Sequence, residues 1–208
     1  MEPDWAAEHL QTIRTLMERT ALYRRALAPI MTFTGVFGVA GGIAAFFFRV
    51  DSARGFIVFW SAVAVACLAG SFLLVRRQAL KDAEPFWSPP TRRVTLALIP
   101  PFVAGAAVGV PALAGLDLNV VPVWSLPACW MLLYGCALSA AGFFMVRGIK
   151  LLGWIFVACG CALIGARLAL SQPPTLLQCH EIMGAGFGGL HLACGIYLYF
   201  TEQGKNAA

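Results

Sequence analysis

The chain has 208 residues, of which 60% are hydrophobic and 12% charged, with a formal net charge of +5 and a mean hydropathy of +0.77. Soluble domains carry about a quarter charged residues, so a water-soluble globule is excluded. The basic balance reads as topology relative to a bilayer and not as a nucleic-acid surface, because the cations sit in the gaps between long apolar runs. The class that remains is all-α: six transmembrane helices preceded by an amphipathic interfacial helix.

Residues 1 to 26 form the one polar segment. Ala6, Leu10, Ile13, Met17 and Ala21 recur at helical steps, Asp4 suits an N-cap, and Glu8, Gln11, Arg14, Glu18 and Arg25 fall largely elsewhere. With Trp5 and Arg14, Arg19, Arg24 and Arg25, this helix suits the cytoplasmic face of a membrane, or a docking place on its own loops or a partner. It holds no continuous apolar region, so no signal peptide is expected. Ile13-Arg14 followed by Met17-Glu18-Arg19 resembles the N-terminal stretch of certain uncharacterised bacterial multi-span membrane proteins. That resemblance covers under a tenth of the chain and implies a membrane protein without implying an activity.

A hydrocarbon core of about 30 Å needs roughly 20 apolar residues per helix. The runs predict spans at about 27–48, 55–75, 94–115, 122–146, 151–170 and 178–200, leaving 201–208 as a tail. Pro100, Pro101 and Pro111 predict a broken third helix, since each proline removes a backbone donor. Pro173-Pro174 forces a turn before the last span.

Basic residues set the orientation. Arg14, Arg19, Arg24, Arg25, Arg76, Arg77, Lys81, Arg92, Arg93, Arg147, Lys150 and Lys205 fall on one side, against Arg49, Arg54 and Arg167 on the other. Both termini are therefore expected in the cytoplasm of a bacterial-type inner (plasma) membrane. An internal repeat of opposite topology is suggested where Phe46-Phe47-Phe48-Arg49 resembles Phe143-Phe144-Met145 and Arg147, and where Gly109-Val110-Pro111 and Gly115 overlie Gly189-Leu190-His191 and Gly195.

The last span, Gln178 to Phe200, concentrates the polar candidates. On a regular helix His180 and His191 differ by only about 20° in azimuth and stand roughly 16 Å apart in height. Gly184, Gly188 and Gly195 share that face, giving a seam of small residues suited to close helix packing. Arg167, in the last turn of the fifth run, either pairs with Glu181 across the Pro-Pro loop or snorkels outward. The expected polar cluster is thus His180, Glu181, Arg167 and His191, with His191 alone at mid-membrane. His191→Ala should therefore loosen packing more than His180→Ala.

Cofactor signals are thin. Haem would need a second axial ligand, and His9 lies outside the spans, leaving Met131 or Met145. Cys179 and His180, with Asp117 from the third loop, are the weak metal candidates, because adjacent residues on a helix point about 100° apart. Except for Cys179 at a span's edge, the cysteines sit well inside predicted spans, where they act as small packing residues.

No catalytic constellation is present, so no cofactor is expected and an enzyme is not favoured. The first reading is a non-enzymatic subunit or regulatory partner of a membrane assembly, meeting another membrane protein or a second copy through glycine-lined faces. The second is a transporter or channel for a small neutral or weakly polar solute, built on the inverted repeat and the broken third helix. The third is a haem- or metal-binding redox protein.

Overall fold

The computed structural model describes residues 26–83, 85–113, 122–145, 147–170 and 172–206. Residues 1–25 of the amphipathic helix expected over 1–26, and Asp117 in the third loop, lie outside the described residues, and Ala26 belongs to the first span. Among the described residues the chain is helical, with no strand.

The helices are α1 (Ala26–Phe47), α2 (Ala53–Lys81), α3 (Pro89–Leu113), α4 (Leu126–Ala141) and α5 (Arg147–Ala169). The C-terminal helix follows as α6 (Leu176–Ile182), a π-helical segment (Met183–Gly189) and α7 (Leu190–Asn206) without interruption. Five stretches are long and apolar enough to cross a membrane: Ala26–Phe47, Ala53–Lys81, Val123–Ala141, Gly148–Ala169 and Leu176–Thr201.

Local chemistry sets the ends. Ser52 accepts a hydrogen bond from the Gly55 N–H at 3.0 Å and starts α2. Thr175 and Gln178 form a reciprocal capping box: the Gln178 side chain accepts from the Thr175 N–H at 2.9 Å, and the Thr175 hydroxyl accepts from the Gln178 N–H at 3.3 Å. The turn after α1 puts Arg49 at φ 49°, a conformation that costs a side chain about 1–2 kcal/mol. Several ends differ from expectation. Helix α2 runs on to Lys81, α4 stops at Ala141 before a turn at 142–145, and α7 carries the expected tail as helix to Asn206.

Two antiparallel pairs form the frame, each built on missing side chains. In the first, α1 crosses the C-terminal helix with Gly42 on Gly184, Gly38 on Gly188, Gly35 on Leu192 and Thr32 on Gly195. A Cβ built on Gly38 would stand 2.7 Å from the Gly188 Cα, so the backbones themselves are in contact. In the second, α4 and α5 interlock through Gly135 against Gly153 and Val157, Ser139 against Gly153, and Leu132 against Gly160. Phe33 of α1 fills the notch at Gly70 of α2. Lipid offers no hydrophobic drive between helices, so this close backbone contact is what holds the pairs.

Two apolar clusters fill the space between the pairs. One joins Leu27 and Met31 of α1 to Met131 and Leu138 of α4, Ile149 and Phe156 of α5, and Leu198 of α7. The other joins Phe56, Ile57 and Trp60 of α2 to Leu126, Cys179 and Met183. Phe187, in the π-helical segment, packs against both.

Two expectations change. Helix α3 is continuous from Pro89 to Leu113, so Pro100, Pro101 and Pro111 do not break it. Neighbouring helices in a bundle tolerate such prolines, and α4 packs along α3 here, with the Trp130 indole N–H donating to the Gly105 carbonyl at 3.0 Å. The two halves of the internal repeat differ at the glycine seams, although α3 does pack on α4, the contact that a two-fold would match to α1 on the C-terminal helix. The register that lays Phe46 on Phe143 also lays Gly38 on Gly135. Yet Gly38 meets the sixth predicted span, whereas Gly135 meets the fifth instead of the third, as a two-fold would require.

Candidate functional site

The C-terminal helix meets its neighbours on several sides, and its histidines are the buried polar points of contact. His180 is 3% exposed and His191 1% exposed. Both therefore need their ring nitrogens bonded, since an unpaired polar group in an apolar interior costs roughly 1–3 kcal/mol.

His180 turns toward α2. Its Nε2–H donates to the Val50 carbonyl at 3.0 Å, and its Nδ1 accepts from the Trp60 indole N–H at 3.0 Å. Phe56 and Phe59 enclose the ring, with centroids at 4.9 and 6.1 Å. A single imidazole thus joins the α1–α2 turn, helix α2 and the C-terminal helix.

His191 turns toward α4 and α5. Its Nδ1–H donates to the Phe187 carbonyl at 2.6 Å, and its Nε2 accepts from the Tyr134 hydroxyl at 2.6 Å. Tyr134 and Phe156 stand against the ring at centroid distances of 5.3 Å each. Tyr134 in turn meets Phe102 of α3 at 5.9 Å, Phe156 at 5.0 Å and Phe187 at 5.4 Å. The site therefore gathers α3, α4, α5 and the C-terminal helix around one hydroxyl–imidazole–carbonyl chain.

The π-helical segment between the histidines overturns the shared azimuth expected of them. A π-helix bonds i to i+5 and spends an extra residue per ring, so each inserted residue rotates the later part of the helix by roughly 100° relative to a regular helix. His180 accordingly faces Trp60, and His191 faces Tyr134. Gly184, Gly188 and Gly195 face α1, away from the Tyr134 that His191 bonds. His180, near the start of the C-terminal helix, is nearly as buried as His191 and equally bonded, so burial does not separate the two rings.

Arg167 and Glu181 are not brought together as a pair. The Arg167 Nη1–H donates to the Leu170 carbonyl at 2.9 Å, and the guanidinium lies over the Trp124 ring at 4.9 Å. A cation over an indole face gains about 0.5–1 kcal/mol at a partly exposed position. Glu181 is exposed. Arg167 thus fastens the end of α5 to the segment before α4, and the proposed α5–α6 bridge is replaced by that contact.

The donor sets bear on which groups the site could hold. Axial ligation of haem needs an imidazole nitrogen with a free lone pair. On His191 one nitrogen carries the proton given to Phe187 and the other accepts from Tyr134, so the ring does not fit that role. Met131 packs on Gly186, and Met145 borders the apolar cluster. Cys179 and His180 both point into the bundle, but the His180 nitrogens are taken and the Cys179 thiol lies 4.0 Å from the Trp124 carbonyl. The described residues hold no group of three His, Cys, Asp or Glu side chains placed to bind a metal.

Two residues central to the site, Trp60 and Tyr134, are not singled out by hydropathy or spacing. Each places a hydroxyl or indole N–H well inside an apolar run, and such a group demands a partner as strictly as His191 does. No protein-family model matches the chain, and no curated protein or solved structure is significantly similar to it.

Proposed function

We propose that the chain is a non-enzymatic, six-span integral membrane protein of a bacterial-type inner membrane, with both termini cytoplasmic, acting as a subunit or regulatory partner of a membrane assembly. Helix α3 supplies the sixth crossing, since its 25 residues extend about 37 Å at 1.5 Å per residue. The cations at the end of α2 and the start of α3 and α5, namely Arg76, Arg77, Lys81, Arg92, Arg93 and Lys150, support the orientation.

The observation that carries the subunit reading is on α5. Elsewhere in the bundle most glycines on helix faces have another helix pressed against them, yet Gly165 has no atom within 4 Å of where its Cβ would stand. Ala158, Cys161, Ala162 and Ala169 are exposed beside it, forming a strip of small side chains from one end of the outer half of α5 to the other. Lipid gains nothing from such a strip, whereas a second transmembrane helix can approach it closely. The rival readings have less behind them: α3 is unbroken, the repeat register fails at Gly135, and every histidine nitrogen in the bundle is occupied from within.

Light scattering of the protein purified in mild detergent tests this. The polypeptide mass should exceed the 22.3 kDa of one chain. Replacing Ala162 and Gly165 together by leucine should reduce it to one chain while leaving the melting temperature within a few degrees. A wild-type protein that stays a single chain in both detergent and nanodiscs would overturn the reading, as would a double variant that keeps the full mass.

A further inference from the structure

One groove outside the histidine network carries a binding inference. It lies between the start of α1 and the end of α2 and is lined by Ala26, Pro29, Leu74, Arg77, Gln78 and Lys81. The four α2 residues are spaced i, i+3, i+4 and i+7, so they share one helix face. Along that face the chemistry changes from the apolar Leu74 to the cationic Lys81 over about 10 Å of rise. The same gradient runs from acyl chain to phosphate in a phospholipid.

The groove's polar end is ready for an anion. Arg77 and Lys81 are exposed and form no ion pair among the described residues. Gln78 is held in place by its own Nε2–H, which donates to Asp82 Oδ2 at 2.9 Å and leaves a second amide hydrogen. Asp82 is thereby engaged beyond the groove's lining, at the C-cap of α2. Opposite Leu74 stand the buried Ala26 and the exposed Pro29, both with small side chains.

We infer that this groove is a site for an anionic phospholipid, with Arg77 and Lys81 on the phosphate, Gln78 donating to it and Leu74 beside the acyl chain. Basic pockets between transmembrane helices on the cytoplasmic side bind headgroups of this kind. The inference rests on the proposed orientation for the identity of the leaflet that supplies the lipid, and it is independent of the α5 strip.

Native mass spectrometry of delipidated protein titrated with phosphatidylglycerol, phosphatidylcholine or inorganic phosphate tests it. Phosphatidylglycerol should bind at least tenfold more tightly than phosphatidylcholine, and millimolar inorganic phosphate should not displace it. Each cation near a charged lipid surface contributes about 1 kcal/mol, so Arg77→Gln with Lys81→Gln should weaken phosphatidylglycerol binding roughly 30-fold. Arg92→Gln with Arg93→Gln removes the same charge from exposed positions on α3 and should change it less than threefold. Lys81→Arg should retain binding.

Equal losses in the two double variants would reduce the effect to net charge and overturn the site. Equal binding of the two lipids would do the same. Binding of inorganic phosphate as tight as that of phosphatidylglycerol would assign the groove to a soluble anion instead. The readout is lipid adducts on each chain, so its failure is distinguishable from a failure of the assembly reading, which is read as polypeptide mass.

Discussion

Alanine at position 188 will lower the stability of the protein by about 1–3 kcal/mol, and alanine one position later will not. Both substitutions add the same methyl group within the same π-helical segment, so helix propensity and local sequence are matched. What differs is the space. A Cβ on Gly188 enters the backbone of α1, standing 2.7 Å from the Gly38 carbonyl carbon and closer still to the Val39 nitrogen, whereas a Cβ on Gly189 meets nothing within 4 Å. Backbone atoms cannot rotate out of the way as a side-chain tip can, so the helices must separate, and the contacts that hold them fade together. Gly38→Ala should behave like Gly188→Ala, while Gly42→Ala and Gly184→Ala, whose methyl groups would first meet atoms at 3.0 and 3.1 Å, should be milder. Thermal unfolding in detergent ranks the five variants. Equal melting temperatures for the 188 and 189 variants would remove α1 from the seam.

The second large effect is expected at the hydroxyl–imidazole contact. His191→Ala opens a cavity among Tyr134, Phe156 and Phe187 and strips the Tyr134 hydroxyl of its acceptor, so a loss of about 2–4 kcal/mol is expected. Hydrogen bonds between membrane helices contribute only about 0.6 kcal/mol on average. Most of the loss therefore comes from the cavity and the orphaned hydroxyl. Tyr134→Phe keeps the ring packing and should cost only about 0.5–1.5 kcal/mol. Pairing Tyr134→Phe with His191→Leu should cost less than the sum of the two single changes, because neither partner is left behind. Reversible unfolding of the four proteins gives the coupling, and strict additivity would mean the two side chains are not bonded. His180→Ala should cost about as much as His191→Ala, since it strands the Trp60 N–H and the Val50 carbonyl.

The sequence made the helical class and most crossings legible, because a run of some 20 apolar residues has few alternatives in water or lipid. The inward turn of Gly184, Gly188 and Gly195 was legible for the same kind of reason: a face without side chains is wasted on acyl tails. Azimuth was not. A reading at 100° per residue assumes an unbroken i to i+4 ladder, and nothing in Met183-Gly184-Ala185-Gly186-Phe187-Gly188-Gly189 announces a wider one except its glycines. Partners for Trp60, Tyr134 and Arg167 were also out of reach, because a residue's own run fixes its depth but not which neighbour stands opposite. The third helix shows the converse. Pro100-Pro101 states a missing donor plainly, yet whether the helix bends or continues is decided by the helices around it.

A spiral staircase with one stretch built on a coarser pitch is a counting device: whatever stands above that stretch owes its compass bearing to how many steps the stretch contains. Removing one step between Met183 and Gly189 would tighten the coil to its ordinary pitch and swing the upper flight through roughly 100°. The imidazole above would then leave its phenol, while the one below kept its indole. Length in this short stretch is therefore a constraint in its own right, added to the one that the close packing of Gly184 and Gly188 places on composition.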